Sequence, residues 1–496
     1  MIVETCLLLV AAIVLVWIYS KRRFSYWSSK DVVCPPILPL IGHMNYFFKG
    51  QRWVSLHKFY LEFRKHKFYG LYEFFNPVLM ITDPELLKLV LVKDFEYFVD
   101  RRRFGDQEGS LMTEMLTNKF GEEWKDLRAI MTPTFSSGKM RSMFHLISEK
   151  ADNLVSFSLK NAVNNKPVDM KDMFGRFTMD TIASCAFGIE CNSLSDSKPV
   201  FAEVAEKFFN FQGLKALKLT LMIVLPKLHN FLGFKVDDVE IEFFAKLAKE
   251  NMELRKKGQS RGDFLDLLLN AKASEDDIRP GKKVFGEHTL VAQSVLFLVA
   301  GYDTTASALA FSSYNVAMNV HCQHRLRQEL QELVKEHGSI NYQGIMEAKY
   351  LDAVLMETLR LYPPGTIGER VCTKQYKIPD TDLIMNPGDL IQFPLWSIHH
   401  DPQYWPEPEE FKPERFLAEN RGSIISFTHL PFGMGPRNCI AMRFALMEAK
   451  VALAQLILAA EIKLAPGHEK MELQDSPFLM RPKDGVMLML TPLQKD

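Results

Sequence analysis

The feature of this sequence that most constrains its fold is a glycine-rich run near the C-terminus, Pro431 to Ala441, which contains a single cysteine. Gly433 and Gly435 favour a turn, and residues 442–450 contain no helix breaker, which predicts a helix. Cys439 would then stand before the N-terminus of a helix, where backbone N–H groups and the helix dipole stabilise a thiolate. The run predicts either a small buried apolar side chain or a thiolate that binds a metal.

The other residues of this run favour the metal. Glycines allow a backbone to approach a flat ligand closely, and Arg437 can pair with an anionic group on the edge of that ligand. Both are requirements for a cysteine that binds haem iron. The run resembles the haem-ligand signature of the cytochrome P-450 family, Phe-x-x-Gly-x-Arg-x-Cys-x-Gly, at Phe432, Gly435, Arg437 and Cys439. Ala441 replaces the usual last glycine and adds one methyl group beside the expected haem.

The composition indicates a large globular protein. The 496 residues are 47% hydrophobic, and 60 Lys and Arg balance 60 Asp and Glu, which argues against a nucleic-acid binder that works by bulk charge. Seven scattered cysteines predict neither a disulfide framework nor a zinc site, and they indicate a reducing compartment. Short strand-like runs such as 78–82 come early and helical patterns dominate later, so we predict a mainly α fold in one large domain with small β-sheets.

The N-terminus is predicted to anchor the chain in a membrane. Residues 2–19 are apolar except for Glu4 and Thr5, and residues 21–23 are basic. Positive charges after the apolar run keep the following chain on the cytoplasmic side, whereas a cleaved signal peptide carries them before it. We therefore predict a transmembrane signal anchor at 1–20, a basic and proline-rich linker at 21–43, and a haem-thiolate catalytic domain at 44–496. The charged stretch 256–283 contains several glycines and a proline, and we interpret it as an exposed loop, with a domain boundary as the alternative.

An apolar helix predicted over 291–311 carries polar residues in its middle. There Asp303, Thr304 and Thr305 follow Gly301, and polar groups in such a place are costly unless they have partners. One interpretation is a polar patch against a neighbouring helix. The other is a notch, because Gly301 leaves room and a threonine hydroxyl can bond the carbonyl one turn earlier, with Asp303 and Thr304 supplying protons. The segment resembles the family's oxygen-activation motif.

Glu357 and Arg360 are three residues apart on a helix predicted over 350–362, a spacing typical of surface ion pairs. With Arg415 they resemble the family's Glu-Arg-Arg network, which implies a role in folding around the haem cysteine. Four further residues resemble contacts to the haem propionates: Trp124, Arg128, Arg101 and Arg370. Arg101 has a second interpretation, as a solvent-exposed residue of a surface turn, because three consecutive arginines at 101–103 are typical of such a turn.

The resemblance covers nearly the whole chain. The runs 300–305 and 170–180 both resemble the group that joins vertebrate family three with insect families six and nine, of which insect family nine is the preferred assignment. The resemblance implies a dioxygen- and NADPH-dependent monooxygenase with heme b on Cys439, at the endoplasmic reticulum membrane, facing the cytoplasm. The implied electron donor is a separate NADPH–cytochrome P-450 reductase, with cytochrome b5 as an additional partner. Lys125, Arg443 and Lys450 are candidate contacts, although solvated surface residues explain them equally well.

The resemblance also implies a mostly apolar substrate pocket: Phe104, Met112, Val299, Ala300, Gly365, Thr366 and Leu479. Such a pocket favours lipophilic substrates, either xenobiotics such as plant toxins and insecticides or endogenous lipids and hormones. Residues 208–232 are apolar with three lysines, which predicts a membrane-contacting segment or a core helix. Two other functions are compatible with a haem-binding cysteine. A membrane-bound haem carrier has no use for Asp303 and Thr304, and peroxide-rearranging relatives usually lack the threonine.

Overall fold

The computed structural model of this chain describes residues 2–45, 51–103, 109–196, 199–210, 213–258, 261, 263–273, 286–474 and 479–493. Helices make up most of it. In chain order they are α1 (Ile2–Phe24), α2 (Arg52–Phe63), α3 (Pro84–Lys88), α4 (Leu111–Glu114), α5 (Gly121–Met131), α6 (Ser137–Asn161), α7 (Met170–Ile182), α8 (Val200–Phe209), α9 (Gly213–Val224), α10 (Pro226–Phe231), α11 (Val239–Lys256), α12 (Phe264–Ala273), α13 (Glu287–Met318), α14 (Val320–His337), α15 (Tyr342–Glu347), α16 (Lys349–Leu361), α17 (Leu395–His399) and α18 (Met442–Ala459).

The strands form small sheets. They are β1 (Phe68–Glu73), β2 (Asn76–Ile81), β3 (Val168–Asp169), β4 (Gly368–Val371), β5 (Tyr376–Lys377), β6 (Ile384–Met385), β7 (Leu390–Phe393), β8 (Ala460–Leu464) and β9 (Met487–Pro492). One sheet has the order β1-β2-β7-β4, in which β2 and β7 are parallel and the other pairs antiparallel. The others are β3-β9-β8 and β5-β6. The prediction of a mainly α fold with small sheets is confirmed.

The main core surrounds α13. Its apolar residues are buried on all sides of the helix, for example Leu290, Val295, Leu298 and Leu309, each 0% exposed. A helix that is apolar all round belongs in a core or a membrane. In the described part of the chain, α13 is the one helix long and apolar enough to span a bilayer, and 72% of its most apolar stretch is buried in protein. We conclude that α13 is the central helix of the core.

The N-terminal segment is helical where an anchor is predicted, and α1 continues four residues past position 20. The predicted linker lies against the globular part. Trp27 is 1% exposed, packs on Gly70 and donates its indole N–H to the Leu71 carbonyl at 2.9 Å. The His43 N–H donates to the Tyr72 carbonyl at 2.9 Å, so residues from 27 onwards contact β1. The division into anchor, linker and catalytic domain remains a prediction.

The prediction of an exposed loop over 256–283 is wrong for part of that stretch. Helix α12 occupies Phe264–Ala273, and Leu265 and Leu268 are 0% exposed. Phe264 packs edge-on against Phe297 of α13, with ring centroids 4.1 Å apart. The apolar residues at 264, 265 and 268 recur at helical spacing and predict a helix. The stretch was interpreted as a loop because of the charged residues and glycines on either side.

Candidate active site

A cavity of about 630 Å³ lies where α13, the start of α18 and the segment 364–370, which leads into β4, face one another. Most of its wall is apolar. Its polar groups include two cysteine thiols, four threonine hydroxyls and a group of arginines. An apolar cavity with a few convergent polar groups is the usual form of a small-molecule site. The two runs singled out in the sequence, 431–441 and 300–305, both contribute to it.

The loop before α18 presents Cys439 to this cavity. Gly433 and Gly435 have φ values of +68° and +74°, in the left-handed region that favours glycine. A side chain on Gly435 would also overlap the Leu91 carbonyl. The Cys439 N–H donates to the Phe432 carbonyl at 2.8 Å, and the Cys439 side chain is exposed into the cavity. The predicted turn and the predicted helix are both observed, and α18 begins three residues after the thiol.

Opposing influences act on this thiol. Burial raises the pKa of Cys439, while the Ala441 N–H and the guanidinium groups of Arg128 and Arg101 lower it. A metal ion at the sulfur would favour the thiolate further. Ala441 has a φ of −91°, which any L-residue adopts, so the methyl group that departs from the family signature fits without backbone strain.

The residues predicted to contact an anionic edge come together at one end of the cavity: Arg101, Arg128, Arg370, Arg437 and Trp124. Arg437 is 3% exposed, and its guanidinium lies 4.3 Å from the centroid of the Trp124 ring. It donates to the carbonyls of Val99 and Lys119 at 2.8 and 2.6 Å. These backbone contacts hold the Arg437 side chain in place beside the thiol loop.

This end of the cavity carries excess positive charge. Burial lowers the pKa of Arg370 well below its usual value, and the neighbouring Arg101 and Arg437 lower it further, while Glu369 opposes them. The Arg370 Nε has no hydrogen-bond partner among the described residues. An unpaired donor on a buried cation costs free energy. A flat ligand that carries carboxylates would supply the missing acceptors, so these residues fit the cofactor predicted from the cysteine loop.

Helix α13 faces the cavity with Ala300, Gly301 and Thr304. The Thr304 hydroxyl donates to the Ala300 carbonyl at 2.7 Å, the bond to the preceding turn that the sequence predicts. Gly301 lines the cavity, but the space in the direction of a side chain is filled, because a Cβ there would overlap Ile182 of α7. Gly301 instead permits close packing of α7 on α13.

Asp303 lies on the far side of α13 and does not line the cavity. It is 1% exposed, and its Oδ1 accepts from the Lys171 ammonium at 2.8 Å. The same oxygen lies 3.0 Å from Nε of Arg481, which also pairs with Glu206 of α8 at 2.6 Å. The structure therefore does not bring Asp303 and Thr304 together at one notch, and Asp303 instead links α13 to cations from two other segments.

The predicted substrate residues divide into three groups. Ala300, Gly365, Thr366 and Leu479 line the cavity. Val299 is 8% exposed and packs in the core, and Met112 is half-buried away from the cavity wall, so the structure does not place these two in the pocket. Phe104 lies outside the described residues.

Several aromatic residues of the wall were not predicted: Phe135, Phe264, Phe297 and Phe393. Phe297 had a usable signal, because it lies three residues before Ala300 and seven before Thr304 on one helical face. Phe264 lay in the stretch interpreted as a loop. Phe135 and Phe393 reach the cavity through tertiary packing, for which a single sequence offers no local signal.

Glu357, Arg360 and Arg415 form one buried network. Glu357 and Arg360 are both 0% exposed and share two hydrogen bonds of 2.8 Å. The Arg415 Nε donates to the Glu357 carboxylate at 3.3 Å, and the Lys412 N–H donates to it at 3.0 Å. Because both charges are shielded from water, this pair differs from the surface ion pairs that its spacing usually indicates.

The network reaches the cysteine loop through one histidine. Arg360 donates to the His399 carbonyl at 2.8 Å, and the His399 imidazole accepts the Leu430 N–H at 2.8 Å through Nε2. Burial lowers the pKa of His399 well below its usual value, which keeps the ring neutral and able to accept. Leu430 immediately precedes the glycine-rich run, so the ion pair positions the segment that carries Cys439.

The surface residues predicted to contact a redox partner differ in exposure. Lys125 and Arg443 are exposed. Lys450 is 3% exposed and pairs with Asp352 at 2.9 Å, so its candidacy is wrong. Its position in the middle of α18, a helix with a mostly buried face, is the physical reason.

Comparisons with known proteins agree over most of the chain. The family model described as "Cytochrome P450" matches residues 33–489. "Cytochrome P450 9e2" of Blattella germanica is 36% identical over 483 residues, 91% of this chain and 91% of the relative. "Cytochrome P450 3A11" of Mus musculus is 38% identical over 464 residues, 92% of this chain and 90% of the relative. "Cytochrome P450 3A2" of Rattus norvegicus is 38% identical over 465 residues, with the same coverage.

Proposed function

Because this chain belongs to the cytochrome P-450 family and is a monooxygenase with a cysteine-ligated haem, we propose that it oxidises lipophilic small molecules with dioxygen and with electrons from NADPH. One observation carries the proposal. Cys439 and Thr304 open into the same apolar cavity, and arginines line that cavity beside the cysteine loop. This arrangement provides a thiolate ligand, a hydroxyl for proton transfer and an apolar space for a substrate.

We assign the haem contacts to the residues that line this cavity. Cys439 would bind the iron, Phe432 would lie against the ring, and five residues would face the propionates: Trp124, Arg101, Arg128, Arg370 and Arg437. The unpaired Nε of Arg370 supports this assignment, because a propionate would accept from it. When bound through a thiolate, haem supplies the redox chemistry of dioxygen, since the sulfur donates electron density that favours O–O cleavage.

The remaining chemistry is assigned to side chains. Thr304 would hold a proton donor at its Oγ1, because its own hydrogen is engaged by the Ala300 carbonyl at 2.7 Å and its lone pairs are free to accept from water or substrate. Asp303 would not contact the substrate. Its ion pairs with Lys171 and Arg481 would hold α13, and with it Thr304, in position. The aromatic wall, with Phe297 and Phe264, would exclude bulk water and favour apolar substrates such as xenobiotics, lipids or hormones.

We assign electron supply to a separate NADPH–cytochrome P-450 reductase, with cytochrome b5 as an additional partner. The sequence contains no Gly-x-Gly-x-x-Gly run that would bind NADPH in this chain. The exposed Lys125 and Arg443 lie on the two helices that flank the cysteine loop, α5 and α18, and fit an acidic partner on that side.

We propose a location at the endoplasmic reticulum membrane, with residues 1–20 as anchor, 21–43 as linker and 44–496 as catalytic domain on the cytoplasmic side. A second contact with the bilayer is assigned to α9 and α10. There Leu214 and Phe231 are 70% and 85% exposed, and Leu217, Leu228 and Leu232 are also exposed. Such an apolar surface is unusual in water and typical of an interfacial segment.

Removal of residues 2–20 is expected to weaken membrane binding without abolishing it, because α9 and α10 retain their apolar surface. Adding Leu214→Asp and Phe231→Asp should release the protein into the soluble fraction, since two charges would enter the headgroup region. The measurement is flotation with phospholipid vesicles. Val320→Asp, at a residue 52% exposed elsewhere, is the control and should change nothing. Complete release by the deletion alone would contradict the second contact.

Reconstitution with reductase, NADPH and a panel of apolar compounds tests the proposed reaction. The wild type is expected to form oxygenated products. Thr304→Ala should lower product formed per NADPH consumed by about tenfold or more, because proton transfer from a positioned group contributes at least this much. Hydrogen peroxide should rise in compensation, and haem content should stay constant.

Thr304→Ser is the matched control, since a serine hydroxyl can also donate to the Ala300 carbonyl and should retain most of the coupling. Unchanged coupling in Thr304→Ala would show that Thr304 does not deliver protons. A haem protein that gave no NADPH-dependent product with any compound of the panel would leave the carrier and the peroxide-rearranging enzyme as the remaining functions.

A further inference from the structure

The wall of the cavity includes a short segment that no neighbouring strand or long helix holds in place. Leu116 and Thr117 line the cavity just after α4, which is a helix of only four residues, Leu111–Glu114. A helix of one turn is not stable by itself in water. Contacts with other parts of the chain must therefore position this part of the wall, and the structure shows such a contact at each end of α4.

The C-terminal end of α4 is bonded to the central helix by a glutamine. The Oε1 atom of Gln293, on α13, accepts the Leu116 N–H at 2.8 Å, and its Nε2 donates to the Glu114 carbonyl at 2.7 Å. The Nε2 also donates to the Thr289 carbonyl at 3.2 Å, so both ends of the amide are engaged. Gln293 is 0% exposed and does not line the cavity, so its amide bonds the protein backbone rather than a substrate.

The N-terminal end of α4 is bonded to the loop between α10 and α11 by a carboxylate. Asp237 accepts from the N–H groups of Leu111 and Met112 at 2.7 and 3.1 Å. It also accepts from the Ser110 hydroxyl at 2.8 Å. The first N–H groups of a helix lack partners within it, and the residue before the helix usually caps them. Ser110 makes no such bond, so Asp237 caps α4 from a distant part of the chain.

Gln293 lies on the face of α13 that borders the cavity. Phe297, Ala300 and Thr304 follow it by four, seven and eleven residues, and all three line the cavity. Residues at these spacings share one face of a helix. The bond from the Leu116 N–H to Gln293 therefore fixes this part of the wall relative to the helix face that carries Thr304.

We propose that Gln293 and Asp237 are positioning residues that clamp the two ends of α4 and thereby determine which part of a substrate is oxidised. The inference rests on the proposed function for its effect on the reaction, and on the hydrogen bonds above for the clamp itself. A wall released at either end would let a bound substrate turn in the cavity. Loss of either residue should therefore change substrate affinity and the site of oxidation more than the rate of turnover.

Hydrogen–deuterium exchange of the haem-loaded protein tests the clamp without turnover. Gln293→Met removes the acceptor of the Leu116 amide. Asp237→Ala removes the acceptor of the Leu111 and Met112 amides. Exchange at each of these amides should rise by about fivefold or more in the corresponding variant, because one net hydrogen bond corresponds to about that factor. Unchanged exchange at these amides in both variants would overturn the clamp.

Product analysis with reductase and NADPH tests the effect on the reaction. The probes are limonene and progesterone, rigid apolar molecules with several C–H bonds at which oxidation gives distinguishable alcohols. In Gln293→Met and Asp237→Ala the ratio of these alcohols should change by about fivefold, and KM should rise by about the same factor. The kcat should change by less than about twofold, because the lost contacts act on binding. Asp237→Asn keeps one acceptor oxygen and should give a smaller change.

Gln323→Met is the matched control. Gln323 is 2% exposed and, like Gln293, bonds the backbone of a distant segment, here the carbonyl and the N–H of Ile462 at 2.8 and 2.9 Å. It lies on α14 and does not line the cavity, so this substitution should lower the melting temperature without changing KM or the product ratio. Equal changes of KM and product ratio in Gln323→Met and Gln293→Met would reduce the effect to a general loss of stability and refute the positioning role.

A double variant tests whether Gln293 acts through the cavity wall. In a Leu116→Ala chain the side chain that the clamp positions is already gone, so adding Gln293→Met should change the product ratio little. Additive changes would contradict the proposal. If Gln293→Met did not bind haem, Asp237→Ala, at a half-buried residue, would still decide. An enzyme that converted neither probe would count against the proposed function, while the exchange result would stand.

Discussion

Cys439→Ala is expected to abolish the red-shifted Soret band that the reduced protein shows with carbon monoxide, together with all NADPH-dependent product formation. Cys439 lies near the end of the glycine-rich loop, and its side chain opens into the cavity. Among the described residues, no histidine lines that cavity and could replace the cysteine as an iron ligand. Mutation of a residue that only supports a metal ligand lowers metal affinity or activity by about 10–100-fold. Removal of the ligand itself should lower activity by more. Activity should therefore fall by more than about a hundredfold.

A second cysteine offers a matched control for this experiment. Cys185 also lines the cavity but is 2% exposed, and burial raises the pKa of its thiol without the arginines that lower the pKa of Cys439. Cys185→Ala should retain the band and most of the activity. Cys439→Ser tests whether sulfur is required, since an alcohol does not reproduce the spectrum of a thiolate ligand. A red-shifted band in Cys439→Ala, or its loss in Cys185→Ala, would show that the iron ligand is misassigned.

The sequence predicts the thiol loop well because its determinants are local. A turn that needs glycine and a helix without breakers can be inferred from ten consecutive residues. One further constraint on Gly435 is not local. The Leu91 carbonyl, from a segment more than 300 residues away, occupies the space that a side chain on Gly435 would need. The arginines at the cavity edge were accessible only through resemblance, since Arg101, Arg128 and Arg370 come from three separate parts of the chain.

Two residues predicted to face the cavity, Asp303 and Val299, do not line it, and helix geometry explains why. Asp303 and Thr304 are consecutive, and so are Val299 and Ala300, but each step along a helix turns the side chain by about 100°. One member of each pair therefore faces the cavity and the other faces the core or an ion pair. The partners of Asp303, Lys171 and Arg481, have no sequence signal that would connect them with α13. Helical periodicity counted from Thr304 favours Ala300, which was predicted, and Phe297, which was not.

Glu357→Gln is expected to destabilise the folded protein by about 3–5 kcal/mol, the cost of leaving one member of a buried ion pair without its partner. Arg360 would keep its charge at 0% exposure, and Arg415 and the Lys412 N–H would lose an anionic acceptor. The measurement is the midpoint of urea denaturation, followed by intrinsic fluorescence and by release of haem. Haem should be lost at lower urea than the fluorescence change, because His399 and Leu430 transmit the network to the cysteine loop.

Glu85→Gln is the matched control, since Glu85 and Lys88 have the same three-residue spacing on a helix and lie 3.2 Å apart at the surface. Water screens that pair, so the substitution should change stability by less than about 1 kcal/mol. The contrast separates burial from spacing as the origin of the loss of stability, because each pair places a glutamate three residues before a basic residue on a helix. Equal effects of Glu357→Gln and Glu85→Gln would contradict the role of the buried pair. Destabilisation by Glu357→Gln without earlier haem loss would instead confine that role to the fold and remove the link to Cys439.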